Sequence, residues 1–121
     1  MKILIAEDET MLLRIMEARL KKEGHRVTTA TDGRDAVNKI NTNDFDVVIT
    51  DIMMPFITGL EIIGIAKEKK KNTPVIVLSA MGQENVVVEA FKLGADDFIT
   101  KPLSPNELSM RIKRFEAMVQ F

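Results

Sequence analysis

Four short apolar runs constrain the fold of this chain more than any other feature of its sequence. Within each run the residues are apolar without interruption, instead of alternating with polar ones. Strands have this pattern when both faces of their sheet are covered, as happens in parallel sheets. The runs cover residues 3–6, 47–49, 75–78 and, more weakly, 98–99. Residues 26–30 are more polar, and they are predicted to form an edge strand.

Segments of helical length lie between and after these strands. In residues 10–23, apolar side chains recur at the spacing of one helix face, which predicts an inward-facing stripe of Leu12, Ile15, Met16 and Leu20. Further helices are predicted over residues 35–40, 59–70, 83–93 and 105–119. Ser104 is the expected N-cap of the last helix, and residues 116–121 are expected to continue it or fray.

A strand followed by a helix, repeated five times, predicts an α/β fold. The predicted architecture is a doubly wound, five-stranded parallel sheet with helices on both faces. The 121 residues correspond to one domain, so we expect a single domain over residues 1–121.

Composition excludes several classes of site and partner. The chain has no cysteine, which excludes disulfides and thiolate chemistry. A net charge of −1 and a single lysine cluster at residues 67–71 do not form the basic face of a nucleic-acid binder. No apolar stretch has the length of a membrane span or the form of a signal peptide. We therefore expect a cytoplasmic protein with neither membrane nor nucleic acid as a direct partner.

Polar side chains follow four of the five predicted strands. Parallel strands bring their carboxyl ends to one edge of the sheet, where ligands bind in open α/β folds. A strand order of 2-1-3-4-5 makes the first and third strands neighbours, which crowds their carboxylates together. The residues at this edge are Glu7, Asp8, Asp51, Ser79 and Lys101.

This set of side chains has the chemistry of a phosphoryl acceptor. Crowded carboxylates repel one another unless a cation lies between them. Oxygen ligands without histidine or cysteine suit Mg²⁺ better than zinc or copper. A carboxylate beside such a cation, with the lysine and the hydroxyl nearby, could take a phosphoryl group on Asp51.

Five motifs resemble the receiver domains of two-component response regulators, a flavodoxin-like fold shared with chemotaxis regulators. The resemblance covers essentially the whole chain, and the motifs occur in receiver order and spacing. They are Ala6-Glu7-Asp8-Glu9, Ile49-Thr50-Asp51-Ile52-Met53-Met54-Pro55, Thr58-Gly59-Leu60, Leu78-Ser79-Ala80, and residues 94–102 with the sequence GADDFITKP.

The resemblance implies a role for each site residue. Asp51 would be the phosphoacceptor, with Lys101 pairing with the phosphoryl group. Ser79 and Phe98 would be the switch residues. The metal would be Mg²⁺, with Mn²⁺ as a substitute, on Glu7, Asp8, Asp51 and the backbone carbonyl of Met53. The family also implies a cis peptide bond between Lys101 and Pro102.

The resemblance also implies the partners. A sensor histidine kinase or a histidine phosphotransfer protein would donate the phosphoryl group, and the surface of the fourth helix, fifth strand and fifth helix would control an output. The domain would not be a turnover enzyme. Apolar Met53 and Met81, at positions that tune phosphoryl loss in the family, predict slow autodephosphorylation.

The C-terminal half most resembles receivers of the winged-helix transcription-factor branch. These dimerise through the fourth helix, fifth strand and fifth helix, so Asp97 and Arg111 are candidates for an ion pair across a homodimer. The first helix carries extra apolar residues, Met11 and Leu13, which fit either kinase docking or a scatter of exposed side chains. His25 is predicted to be a surface loop residue.

Three alternatives are weighed against this reading. A pseudo-receiver would use the same fold as a phosphate-independent binding module, but the acceptor, acids, hydroxyl and lysine are all present. An aspartyl-nucleophile phosphatase would carry Asp-x-Asp after the first strand, where this chain has Glu7-Asp8-Glu9. A flavin- or nucleotide-binding module would need a glycine-rich phosphate loop or a stacking Tyr or Trp, and the sequence has neither.

Overall fold

The computed structural model describes residues 1–119, and Gln120 and Phe121 lie outside the described residues. Strands and helices alternate from the first described element to the last. They are β1 (Lys2–Ala6), α1 (Thr10–Lys22), β2 (Arg26–Ala30), α2 (Gly33–Thr42), β3 (Val47–Asp51), α3 (Gly59–Lys69), β4 (Val75–Ser79), α4 (Glu84–Lys92), β5 (Asp97–Thr100) and α5 (Pro105–Val119).

The five strands form one parallel sheet in the order β2-β1-β3-β4-β5, as the sequence predicts. β2 is an edge strand and β3 is the central one. Every residue of β3 and β4 is buried. Their uninterrupted apolar runs follow from this burial, because helices cover both faces of the sheet.

An apolar core lies on each face of the sheet. One is built around Leu4, Val48 and Val77 and is covered by α2, α3 and α4. The other is built around Ile5, Ile49 and Leu78 and is covered by α1 and α5. Alternate residues of the central strands therefore point into different cores, which fixes the register of the sheet.

Local side-chain chemistry sets the helix starts. The Asp32 carboxylate accepts a hydrogen bond from the backbone N–H of Asp35, so α2 begins at Gly33, two residues before the predicted start. Ser104 Oγ accepts from the Asn106 N–H at 3.1 Å before α5, in agreement with its predicted capping role. The prediction for residues 116–121 is met by helix as far as Val119, and its last two residues lie outside the described part.

Two predictions about side-chain orientation are wrong. In α1 the buried residues are Leu13, Met16 and Leu20, whereas Ile15 is 46% exposed. Apolar residues occur around most of this helix, so their spacing alone did not determine which face turns inward. His25 is buried, because the left-handed Gly24 (φ 93°) turns the chain directly into β2, and its Nδ1 lies 3.1 Å from the Met1 amino nitrogen.

Within residues 1–119, no helix combines the length and apolar character needed to cross a membrane.

Candidate functional site

The predicted site residues meet at the carboxyl edge of the sheet. Asp51 is the last residue of β3 and is 6% exposed, and Ser79 ends β4 and is buried. Glu7 directly follows β1 and is fully buried, while Asp8 is exposed. Lys101 directly follows β5 and precedes Pro102 across a cis peptide bond. The strand order that brings β1 beside β3 thus assembles this group from distant parts of the chain.

Three carboxylates form a compact cluster. Glu7, Asp8 and Asp51 each offer one oxygen, and these oxygens all lie within 4.8 Å of one another. Water cannot screen them fully, because two of the three side chains are buried. Such a cluster attracts cations, and one of its members is expected to hold a proton when no cation is bound.

The ammonium group of Lys101 lies against this cluster and contacts two of its carboxylates. Its Nζ lies 2.6 Å from Asp51 Oδ2 and 2.7 Å from Glu7 Oε1. The contact with Asp51 is a hydrogen bond, whereas the contact with Glu7 is an ion pair without hydrogen-bond geometry. The Lys101 backbone N–H also donates to the Ser79 carbonyl at 2.7 Å, which holds the start of the β5–α5 loop beside β4.

The environment shifts the pKa of two groups in the cluster. Burial raises the pKa of Glu7 to about 7, because desolvation outweighs the lowering effect of Lys101, and the charge of Asp51 raises it further. Burial lowers the pKa of Lys101, but its contacts with Asp51 and Glu7 outweigh burial and raise it above the ordinary value. Lys101 is therefore charged at neutral pH, whereas Glu7 titrates close to neutrality.

The cluster fits a hard divalent cation. Every side-chain ligand is a carboxylate oxygen, the type that Mg²⁺ prefers. Glu7 Oε1 is a buried oxygen that accepts no hydrogen bond, although buried acceptors are normally satisfied. When all three carboxylates are ionised, Lys101 balances one of them, and two negative charges remain for a metal to neutralise.

The backbone of the β3–α3 loop lies against Asp51. The Met53 N–H donates to Asp51 Oδ1 at 3.2 Å, and the Gly59 N–H donates to the Ile52 carbonyl at 2.7 Å. A Cβ atom on Gly59 would lie 2.3 Å from the Asp51 carbonyl oxygen. Only glycine allows this close approach of the start of α3 to the end of β3.

The two predicted switch residues border one cavity. Ser79 and Phe98 both line a cavity of about 440 Å³ between α4 and β5, together with Val87 and Val88. Phe98 is 38% exposed, and its ring meets that of Phe91 edge-on at 5.8 Å between centroids. Phe98 is therefore not a core aromatic in this conformation, and the cavity beside it is open.

The candidate dimer residues bind each other within one chain. Arg111 donates a hydrogen bond to the buried carboxylate of Asp97, and Arg114 Nη2 lies 3.3 Å from the other oxygen of that carboxylate. The contact with Asp97 raises the pKa of the Arg111 guanidinium above its ordinary value, against the smaller effect of burial. Arg111 is thus engaged inside the monomer.

The family model for the response regulator receiver domain matches residues 3–113. The chain is a response regulator receiver domain. Over 110 residues, or 91% of its length, it is 41% identical to the response regulator SaeR of Staphylococcus aureus strain USA300. That alignment covers 48% of SaeR, so the chain spans about half the length of the curated relatives it matches.

Solved structures agree with this assignment. The receiver domain of the Francisella response regulator 1452 is 36% identical, with a TM-score of 0.88 and 98% of each chain covered. The BeF3-activated receiver domain of DrrB is also 36% identical, with a TM-score of 0.88 over 96% of this chain and 97% of that one.

Sequence reasoning missed one unusual residue of this receiver. Phe56, in the β3–α3 loop, has a left-handed backbone (φ 72°) and is 67% exposed. The guanidinium of Arg34 stacks over its ring, 3.6 Å from the centroid. Glycine or asparagine at this place would have signalled the conformation, whereas phenylalanine does not.

Proposed function

We propose that this receiver is a phosphorylation-activated signalling switch that takes its phosphoryl group on Asp51. The supporting observation is the position of the Asp51 carboxylate. It is buried at the end of the central strand, bonded by Lys101 at 2.6 Å and clustered with Glu7 and Asp8 within 4.8 Å. A reactive carboxylate held between a fixed cation and a cation-attracting cluster suits a step in which negative charge accumulates.

The proposed donor is a sensor histidine kinase or a histidine phosphotransfer protein. An Asp51 oxygen forms the new bond to phosphorus while the P–N bond to the donor imidazole breaks, and the imidazole nitrogen keeps the electron pair. The Met53 N–H and the Lys101 ammonium hold the two Asp51 oxygens in fixed directions. Lys101 then compensates charge on the phosphoryl oxygens.

The proposed cofactor is Mg²⁺, with Mn²⁺ as a substitute. Glu7, Asp8 and Asp51, with the backbone carbonyl of Met53, would hold it. When bound, it would neutralise charge on the carboxylates and the phosphoryl oxygens. The buried Oε1 of Glu7 supports this proposal, because it faces the cluster without an accepted hydrogen bond and is therefore available as a metal ligand.

The proposed response involves Ser79 and Phe98. Ser79 would donate its hydroxyl to the phosphoryl group, and the ring of Phe98 would move into the cavity that both residues line. The surface formed by α4, β5 and α5 changes as a result and controls an output. The receiver would act in the cytoplasm without contacting membrane or nucleic acid itself, as one domain over residues 1–121, and it would not turn over substrate.

Intact mass measurement after incubation with acetyl phosphate and Mg²⁺ tests this proposal. We expect one labile phosphoryl adduct on the unmodified chain, and none on Asp51→Asn or in the presence of a chelator. An adduct that persists in Asp51→Asn would overturn the assignment of the acceptor. If no adduct forms, and a histidine phosphotransfer protein also fails as donor, the fold serves as a phosphate-independent binding module.

A further inference from the structure

Two exposed methionines follow the proposed site residues Asp51 and Ser79 in the chain. Met53 is 53% exposed and Met81 is 81% exposed. Met53 lies two residues beyond Asp51, and Met81 lies two residues beyond Ser79. Both therefore belong to loops at the carboxyl edge of the sheet, and neither side chain is committed to the core.

A backbone hydrogen bond holds Met53 beside Asp51, and Met81 borders a cavity that Ser79 also lines. The Met53 N–H donates to Asp51 Oδ1 at 3.2 Å, so the Cα of Met53 cannot move away from the acceptor carboxylate. Met81 lines the same cavity as Ser79 and Thr100. Asp51 itself is 6% exposed, and the two methionines belong to the loops that follow β3 and β4 at the same edge of the sheet.

A thioether and a sulfoxide act differently in these loops. The thioether sulfur is a weak hydrogen-bond acceptor on a flexible apolar chain. Peroxide converts it to a sulfoxide: the sulfur takes one oxygen atom and is oxidised, and the peroxide is reduced to water. The side chain becomes polar and gains a strong acceptor oxygen, and reductases can reverse the change.

We propose that Met53 and Met81 form an oxidation-sensitive pair, whose conversion to sulfoxides by peroxide shortens the lifetime of a phosphoryl group on Asp51. This inference rests on the proposed function. In the hydrolytic step, a water oxygen bonds to phosphorus and the bond between phosphorus and the Asp51 oxygen breaks. Asp51 leaves as a carboxylate, inorganic phosphate forms, and one proton passes to solvent. A sulfoxide oxygen can orient that water by accepting a strong hydrogen bond from it, whereas a thioether sulfur is too weak an acceptor to do so.

The experiment compares the decay of the phosphoryl adduct before and after peroxide treatment. The full chain is treated with hydrogen peroxide, freed of it, loaded with acetyl phosphate and Mg²⁺, and followed by intact mass, with peptide mapping of the sulfoxides. We expect loss of the adduct to accelerate by about three- to tenfold, the factor that one oriented hydrogen bond contributes. Treatment with a methionine sulfoxide reductase should restore the original rate.

Two sets of variants locate the effect. In Met53→Leu/Met81→Leu, peroxide should leave the decay at that variant's own untreated rate. Met11, Met110 and Met118 are 74%, 70% and 64% exposed, so their triple leucine variant is a matched control that should keep the acceleration.

Three results would overturn the inference: equal decay before and after oxidation, an acceleration that survives in the Met53/Met81 variant, or resistance of both residues to peroxide that oxidises Met11. A chain that takes no phosphoryl group even before oxidation would instead overturn the proposed function, and the inference with it.

Discussion

At the scale of single residues, Lys101 determines how the carboxylate cluster is balanced. Its ammonium group reaches Asp51 and Glu7 at once, and its side chain is only 20% exposed. Both carboxylates therefore depend on one cation that solvent screens poorly. Without it, the described cluster would retain three carboxylates and lose the charge that faces them.

Replacing Lys101 with methionine removes this charge while keeping the length of the side chain. We expect the free energy of unfolding to fall by about 1–3 kcal/mol, because a partly buried carboxylate loses its partner. Added Mg²⁺ should restore part of the loss, and phosphoryl uptake should slow by at least about tenfold. Urea unfolding with and without Mg²⁺ measures the first two effects. Lys22→Met, at an exposed lysine, is the control, and equal stability of the two variants would contradict the expectation.

Phe56 is a second residue whose own conformation predicts the effect of substitution. A bulky side chain in the left-handed region costs about 1–2 kcal/mol, and an exposed cation–π contact such as that with Arg34 returns about 0.5–1 kcal/mol. Phe56→Asn should therefore raise the free energy of unfolding slightly, by up to about 1 kcal/mol, because asparagine tolerates this backbone.

The β-branched variant Phe56→Val should be less stable than the wild type, because valine tolerates a positive φ poorly. Arg34→Leu isolates the cation–π contact and should cost about 0.5–1 kcal/mol. Thermal unfolding of all three variants gives the order of stability. A valine variant as stable as the asparagine variant would show that the backbone of residue 56 is not held left-handed.

At the scale of elements, α1 and α5 are joined by a polar contact next to their apolar interface. The Ser109 hydroxyl lies on α5 and donates to Glu23, the C-cap of α1, at 2.6 Å. This hydrogen bond is the main reason that the pKa of Glu23 lies below its ordinary value of 4.5; burial opposes the shift and Arg19 adds to it. The contact links a helix with exposed apolar residues to a helix of the proposed output surface.

Ser109→Ala removes this hydrogen bond between α5 and α1, and it should lower the free energy of unfolding in a pH-dependent way. Because the folded pKa of Glu23 is lowered, its ionised form contributes stability above the ordinary value of 4.5, and that contribution is lost as the pH falls through the lowered pKa. The variant should lose about 1 kcal/mol at neutral pH, and its difference from wild type should shrink as the pH falls below the ordinary value of 4.5. In a Glu23→Ala background, which removes the acceptor, the same change should cost much less; an equal cost would assign the effect to packing.

The elements also show how far sequence reasoning reaches. The apolar runs around Ile5, Ile49 and Leu78 are continuous and are flanked by helical segments. The parallel sheet could therefore be predicted, and with it the polar side chains at the carboxyl ends of its strands. The inward face of α1 could not, because Leu13 and Ile15 are equally apolar and only packing against the sheet and α5 selects Leu13. His25 was misplaced because its burial depends on the direct turn from Gly24 into β2.

At the scale of the whole molecule, the surface of α4, β5 and α5 combines exposed apolar groups with paired charges. Val88, Phe91 and Phe98 are 52%, 43% and 38% exposed on it. Arg111 and Asp97, predicted to pair across a dimer, bind each other within the chain. A homodimer with this ion pair across its interface would therefore have to exchange an internal pair for an external one.

Sedimentation of the beryllofluoride-loaded receiver with Mg²⁺ tests this assembly. We expect a dimer at high protein concentration and a monomer without beryllofluoride. Phe91→Ser should prevent the dimer by placing a hydroxyl in its apolar centre, whereas Met11→Ser, on α1, should leave it intact. A loaded receiver that sediments only as a monomer at high concentration would remove phosphorylation-linked dimerisation.

The order of the strands also sets how often each part of the molecule opens. β3 is paired on both sides and lies between two apolar cores, so its amide hydrogens should exchange with solvent only when the whole domain unfolds. Among residues 1–119, β5 pairs with β4 alone, and alternate residues of it face solvent, so its amides should exchange through local openings. The proposed acceptor thus terminates the strand expected to open last, while Phe98 belongs to a strand expected to open early. A charge placed on Asp51 would therefore act from the end of a rigid central strand on β5, an edge strand that opens more readily.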